Sequence, residues 1–217
     1  MEAGALFDWD GVVIDSSAHH EKSWEQLAAE IRKPLPDDHF IRGFGMKNQK
    51  IIPEILGWTT DPDEIETLSL RKEQLYRDII QVEGIEALPG VTGLLRMLSD
   101  RGVPCAVASS THRRNVEVVL DAIGLRPFFD AIVTAEDVSH GKPHPEVFLE
   151  GAGRIGRQAP ACVVFEDAHV GIEAGLAAGA RVVAVATTHP LAELGAAHLA
   201  VASLAEIDWL RFVGLFD

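Results

Sequence analysis

Cysteine is nearly absent from this chain. Only Cys105 and Cys162 occur in 217 residues, each inside an apolar run and neither in a CxxC pair. That usage excludes a disulfide framework, argues against thiol catalysis or thiolate metal binding, and predicts two reduced core thiols in a reducing cytoplasm. Positive charge is scarce as well: 19 Lys and Arg stand against 33 Asp and Glu, a formal net charge of -14. Such a surface repels polyanions, so nucleic acid is not expected as a partner. The start of the chain lacks the basic segment and apolar stretch of a signal peptide. Charges interrupt every apolar region before the ~18 residues that a membrane span needs. A cytoplasmic protein without a membrane partner is therefore expected. Internal repeats and low-complexity segments are missing too. No two of the nine histidines show the spacing of a zinc motif; apart from His20 they are expected to be surface or capping groups.

What is present is an alternation of short apolar runs with amphipathic helical patterns, the signature of βαβ units around a parallel sheet. The strand candidates are Ala5 to Phe7, Val103 to Ala108, Ala131 to Thr134, Cys162 to Phe165, Val182 to Ala186 and Leu199 to Ala202. Helices are expected between them, for example from Val91 to Asp100, with Leu94, Leu95 and Leu98 on one face, and from Asn115 to Ile123. From Asp15 to about Glu86 the alternation stops. That stretch carries helical spacing alone, as in Trp24, Leu27, Ala28 and Ile31, and it ends at the turn signal Leu88-Pro89-Gly90. The expected organisation is an α/β core of residues 1–15 and 87–217 with an inserted helical domain over 16–86.

Chemistry-bearing residues fall at the ends of the strand candidates. Leu6-Phe7-Asp8-Trp9-Asp10-Gly11-Val12 ends an apolar strand in two carboxylates two residues apart, so both can converge on one site beyond the strand. Ala108-Ser109-Ser110-Thr111 places hydroxyls and backbone N–H groups ahead of a helix, where a phosphate oxygen can be held. In Gly141-Lys142-Pro143-His144-Pro145-Glu146 a lysine is pinned between glycine and proline, a suitable point charge for a phosphoryl group. Phe165-Glu166-Asp167 ends the fourth strand in two more acids. Taken singly these are ordinary loops and caps. Together they put acids, hydroxyls and a lysine at the sheet edge where open α/β folds bind ligands. The oxygen-rich set suits Mg²⁺, which is bound through one or two carboxylates, retained waters and substrate phosphate oxygens.

Asp8-x-Asp10-Gly11-Val12, Ser109, Lys142-Pro143 and Glu166-Asp167 resemble the four sequence motifs of the haloacid dehalogenase superfamily. The helical insertion directly after the first motif resembles the cap of the branch that contains β-phosphoglucomutase and phosphoglycolate phosphatase. The resemblance implies a Rossmann-like parallel sheet with an inserted cap domain, and a Mg²⁺-dependent phosphatase acting on a small phosphorylated metabolite through an aspartyl-phosphate. Asp8 would be the nucleophile and Asp10 the acid and base. Ser109 and Lys142 would hold the phosphoryl oxygens. Asp8, Asp167 and the backbone carbonyl of Asp10 would hold the metal, and Glu166 would order its waters. The second acid, Asp10, argues for a phosphate ester rather than a halide, because a departing halide needs no proton.

In this resemblance the cap supplies specificity, and the expected substrate-binding residues are His20, Arg42, Gly43, Lys47 and Lys72, with Ser110 from the core. His20, Arg42-Gly43 and Lys72 fall where β-phosphoglucomutase has comparable cap residues, which keeps a phosphosugar mutase as an alternative. Against it, Met46 stands where the mutase cap carries an arginine for the second phosphate. A catalytically silent phospho-ligand binding protein on the same fold is the alternative of another class.

Overall fold

The computed structural model describes residues 2–43 and 46–217. The elements in chain order are β1 (Gly4–Phe7), α1 (Ser17–Ile31), α2 (His39–Gly43), α3 (Asn48–Lys50), α4 (Pro62–Glu83), α5 (Val91–Ser99), β2 (Cys105–Ala108), α6 (Arg113–Ala122), β3 (Ala131–Val133), α7 (Glu146–Arg154), β4 (Cys162–Glu166), α8 (His169–Ala177), β5 (Arg181–Val185), β6 (Leu199–Val201) and α9 (Trp209–Gly214). They fall into two compact units, Met1–Asp15 with Ile85–Asp217, and Ser16–Gly84. Among the described residues, no helix is long and apolar enough to cross a membrane.

The first unit is an α/β fold on a six-stranded sheet of order β3-β2-β1-β4-β5-β6, with every neighbouring pair parallel. This is the Rossmann order, and its direction reverses at β1, so the carboxyl ends of β1 and its neighbours open on the crevice where such sheets bind ligands. β1, β2 and β4 are buried throughout. Their near-continuous apolar sequences are what a parallel sheet covered on both faces requires. Phe7 stacks on Phe165 across the β1–β4 pair at 4.6 Å between ring centroids. Cys105 and Cys162 are buried and unbonded to each other; burial pushes their thiols up to about 12 and about 11, which leaves both unreactive near neutrality.

All six expected strands are present, with one shortened start. Val103 and Pro104 lie ahead of β2. Pro104 has no N–H for a ladder bond, although its carbonyl still accepts from Ala5 N at 3.0 Å. Gly90 turns the chain at φ 91°, packed so closely on the backbone of Leu204 and Ala205 that no Cβ fits there. The insertion leaves and re-enters this unit at one place: Ile14 bridges antiparallel to Ala87, and Leu88 N donates to Val13 O at 2.9 Å.

The second unit is helical. α4 is started by Asp61, whose carboxylate accepts from the N–H groups of Asp63 and Glu64, with Pro62 in the first turn. α1 and α4 pack together. The unit's apolar centre is Trp24, Leu27, Ile52, Leu56, Trp58 and Leu75 with their neighbours. His39, expected at the surface, is buried; one ring nitrogen, Nδ1, lies 2.8 Å from the carbonyl oxygen of Pro36. A histidine whose ring polarity is partly met by its own turn can be packed like an apolar residue.

Candidate active site

Asp8 follows β1 directly, and its N–H donates to Phe165 O at 2.9 Å, so the sheet ladder fixes its backbone. Its carboxylate receives Lys142 Nζ at 2.5 Å, and the same ammonium reaches Glu166 Oε1 at 2.6 Å. The three charged side chains are all buried or nearly so. The other oxygen of Glu166 accepts from the N–H groups of Asp167 and Ala168 at 2.7 and 2.8 Å. Glu166 is therefore a fixed counter-charge with both oxygens engaged, held under the first turn of α8. Gly171 makes this possible, because a Cβ there would overlap the Glu166 carboxylate.

Asp167 faces the same space. Its carboxylate accepts from the Thr188 hydroxyl, and Gly11, at φ 84°, lies against it where a Cβ would collide. One oxygen each from Asp8, Glu166 and Asp167 fall within 4.8 Å of one another. Burial raises Asp8 well above its ordinary value, and Glu166 and Asp167 raise it further while Lys142 opposes them. Asp167 is pushed up to about 7, by burial and then by Glu166. Three buried carboxylates share a single lysine, an imbalance that a divalent cation corrects, and oxygen donors suit Mg²⁺. The donor set thus fits that metal.

Asp10 is handled differently. Its Oδ2 accepts from the Thr111 hydroxyl at 2.7 Å, so the two motif acids have separate partners. Ser109 is buried; its N–H donates to Val133 O at 3.0 Å and its Oγ accepts from Thr111 N at 3.0 Å. Ser110 is exposed. The loop bearing Lys142 is closed by Glu146, whose carboxylate accepts from the N–H groups of Ser139 and His140, both at 2.9 Å.

Sequence reasoning passed over Thr111 as a partner of Asp10, and it passed over Thr187 and Thr188 altogether. The Thr187 hydroxyl donates to Gly11 O and that of Thr188 to Asp167. A signal existed, since Thr187 and Thr188 follow β5 at the same sheet edge as the motifs read from the other strand ends.

In the helical unit, His20 and Lys72 meet each other. Lys72 is buried, with Nζ 2.6 Å from His20 Nδ1 and 3.0 Å from Glu73 Oε1, above the rings of Trp24 and Tyr76. His20 stacks on Tyr76 at 4.1 Å between centroids. Burial, then the Lys72 charge, lowers the His20 ring to about 3. His20 is thus neutral near pH 7, with Nδ1 accepting and Nε2 carrying the proton. Arg42 is exposed and 3.5 Å from Asp38, and Lys47 is exposed. Gly43 is buried against the Ile51 side chain.

Glu73 also accepts from Asn48 Nδ2 at 2.7 Å. Glu73→Ala strips the buried Lys72 of its counter-charge and is expected to cost about 3 kcal/mol of stability, read from urea unfolding. A loss under about 1 kcal/mol, the range of an exposed pair, would mean that this ion pair contributes little.

Comparison with known proteins agrees with this geometry. The profile of the haloacid dehalogenase-like hydrolases matches residues 3–179. The chain is 36% identical over 217 residues to the chloroplastic 5-amino-6-(5-phospho-D-ribitylamino)uracil phosphatase of Arabidopsis thaliana; that match covers 99% of this chain and 58% of the relative's length. It is 33% identical over 177 residues to the fructose-1-phosphate phosphatase of Escherichia coli, covering 82% of this chain and 93% of that one. Among solved structures, a family IA, variant 3 hydrolase from Entamoeba histolytica superposes with a TM-score of 0.88 at 29% identity, covering 99% of each chain. By profile, relatives and fold alike, the chain belongs to the haloacid dehalogenase-like hydrolase family.

Proposed function

We propose that this chain is a Mg²⁺-dependent phosphatase that hydrolyses a small phosphomonoester, of the sugar or polyol phosphate class, with the Met1–Asp15 and Ile85–Asp217 unit as its catalytic core. The observation that carries this reading is the buried Asp8, Glu166 and Asp167 trio sharing Lys142 at the reversal point of the sheet. The substrates for which the relatives are named, a ribitylamino phosphate and fructose 1-phosphate, support a polyhydroxylated leaving group.

In the proposed reaction an Asp8 oxygen forms a bond to phosphorus while the ester P–O bond breaks, and Asp10 gives its proton to the departing oxygen. Water then attacks the phosphoryl group on Asp8. Asp10 takes a proton from that water, the Asp8–phosphorus bond breaks, and inorganic phosphate leaves. Thr111 orients Asp10 for both transfers through its 2.7 Å hydrogen bond. Ser109 and Lys142 hold phosphoryl oxygens, the positioning and charge neutralisation on which phosphoryl transfer chiefly relies. Asp8, Asp167 and the Asp10 carbonyl would hold Mg²⁺, which would supply neutralisation of phosphate charge. Glu166 orients Lys142 and balances its charge. Ser110, Arg42 and Lys47 are assigned to the substrate as exposed polar groups, and His20 as a neutral N–H donor set by Lys72.

Hydrolysis is favoured over phosphosugar mutation because Met46 packs against the apolar cluster of the helical unit, where a mutase would need a second phosphate grip. The test is a panel of sugar and polyol phosphates with Mg²⁺, scored by free phosphate. Hydrolysis that stops with EDTA and returns with Mg²⁺ but not Ca²⁺ is expected. Rapid isomerisation of β-glucose 1-phosphate in the presence of glucose 1,6-bisphosphate, with little phosphate released, would favour the mutase. Failure on every monoester would favour a silent binding protein.

Asp10→Ala is expected to lower kcat by ~10²- to 10⁴-fold, most for poor leaving groups. Thr111→Val should lower it less, since the carboxylate remains and only its orientation is lost. A Thr111→Val defect equal to that of Asp10→Ala, measured on the same ester, would make the hydroxyl a participant in its own right.

A further inference from the structure

Beyond the carboxylate trio, two clusters on the catalytic unit combine imidazole with carboxylate donors, and one of them stands at the start of α8. His169 opens α8, two residues after Asp167; His189 and Glu193 lie on the segment that follows β5. The two imidazoles pack at 4.4 Å between centroids with a tilt of 40°, and His169 Nε2 is 4.0 Å from Glu193 Oε2. A donor atom from each of the three lies within 4.8 Å of the others. His169 and Glu193 are exposed and His189 is half-buried, so small rotations of surface side chains close the remaining distance.

We propose that His169, His189 and Glu193 form a second cation site, for a borderline divalent metal of the Zn²⁺ or Ni²⁺ kind. The donors set the metal class. Two nitrogens and one carboxylate suit Zn²⁺, Ni²⁺ or Cu²⁺, whereas the all-oxygen trio suits Mg²⁺. The two sites therefore sort cations by ligand hardness.

A rival cluster of the same composition, His140, His144 and Glu146, exists in the same unit. Its donors are already engaged: His140 Nδ1 lies 2.9 Å from Glu146 Oε2, His144 Nδ1 accepts the Glu146 N–H at 3.3 Å, and the Glu146 carboxylate takes the Ser139 and His140 N–H groups. Metal binding there would break the bonds that close the Lys142 loop. Among the described residues, the side chains of the His169 cluster carry no such loop-closing bonds; their contacts are the ring packing and the long 4.0 Å ion pair.

Occupancy of the His169 cluster has a structural reach. The segment carrying His189 also carries Thr187 and Thr188, whose hydroxyls bond the Gly11 carbonyl and Asp167. A metal tying His189 and Glu193 to His169 fastens that segment to α8.

The experiment is equilibrium dialysis of the full chain against Zn²⁺ in saturating Mg²⁺, which keeps the trio occupied. One Zn²⁺ per chain is expected to bind. His169→Ala with His189→Ala should weaken it by ~100-fold or more, beyond what loss of a mere outer-shell partner produces. Glu193→Gln, a single surface change, should weaken it about 10-fold and serves if the double variant misfolds. His140→Ala with His144→Ala should leave it unchanged. Zn²⁺ affinity retained in the first double variant and in Glu193→Gln, or lost instead in the His140 and His144 variant, would overturn the proposal. Because the readout is binding, a failure here leaves the phosphatase reading standing, and a failure of that reading leaves the Zn²⁺ result intact.

Discussion

Asp8→Asn is expected to abolish turnover, by on the order of 10⁴-fold or more, while leaving the metal-free protein at least as stable as the wild type at neutral pH. The two halves have one cause. Asp8 is a buried carboxylate beside Glu166 and Asp167, and its folded pKa is raised. A raised carboxyl favours the fold below its ordinary range, and that contribution is lost as pH climbs towards and through the folded value, so raising the pH works against the fold at this group. Asparagine removes the charge and keeps the shape, but its amide is no nucleophile. Asp167, pushed up to about 7, acts in the same direction, so metal-free wild-type protein should lose stability from about pH 4 to pH 7, and the variant should lose less. Thermal melting across that range, with phosphate release on the best ester, checks both halves. Residual hydrolysis near the wild-type rate would remove Asp8 as nucleophile. A clear fall in melting temperature would show that its bond to Lys142 outweighs the repulsion.

Lys142→Met should damage both stability and rate. Methionine keeps the apolar stem beside Phe148, whose ring lies 4.9 Å from Nζ, yet it takes away the cation shared by Asp8 and Glu166. Removing one partner from a buried ion pair typically costs 3–5 kcal/mol, because the remaining charge is left uncompensated; a loss of about 3 kcal/mol is expected without metal. Mg²⁺ should recover more stability in the variant than in the wild type, since it becomes the sole neutralising charge, and binding to the folded state stabilises by mass action. Activity should remain ~10²- to 10³-fold down even with Mg²⁺ saturating, the usual loss when one donor to developing charge is removed. Urea unfolding with and without Mg²⁺ reads the first effect and kcat the second. A variant as stable as wild type without metal would mean that the trio is largely protonated there and the charge account fails.

The sheet was legible because its information is local. Each strand is a short run of small or β-branched apolar residues bounded by polar groups, and a parallel sheet covered on both faces demands that pattern. The strand order is not local, and it comes from the fold: connection rules narrow the choices without fixing one. The motif acids were visible for a related reason: carboxylates at the ends of apolar strands are conspicuous. The threonines were not. Thr111, Thr187 and Thr188 are unremarkable in sequence, and their contacts depend on which acceptor the fold brings opposite each hydroxyl, over separations of 101 residues for Thr111 and Asp10, 176 for Thr187 and the Gly11 carbonyl and 21 for Thr188 and Asp167. Lys72, expected among the substrate-binding residues, has partners that the sequence does not display, His20 lying 52 residues away. A lysine on an amphipathic helix is by default solvated, and only the assembled helical unit shows its ammonium turned inward to His20 and Glu73. Gly43, expected among the substrate-binding residues, packs against the Ile51 side chain, a contact that only the folded helical unit shows.

The bridge between Ile14 and Ala87 brings the exit and return of the insertion to a single seam, reinforced by the bond from Leu88 N to Val13 O. A graft whose two ends meet in this way asks nothing of its host except that the seam be kept. Recombination could therefore exchange the whole segment for a longer, shorter or unrelated one without disturbing the register of the sheet. The Ser16–Gly84 unit is in this sense an interchangeable cassette, and the six-stranded sheet keeps its order and its strand-end acids whatever occupies that place.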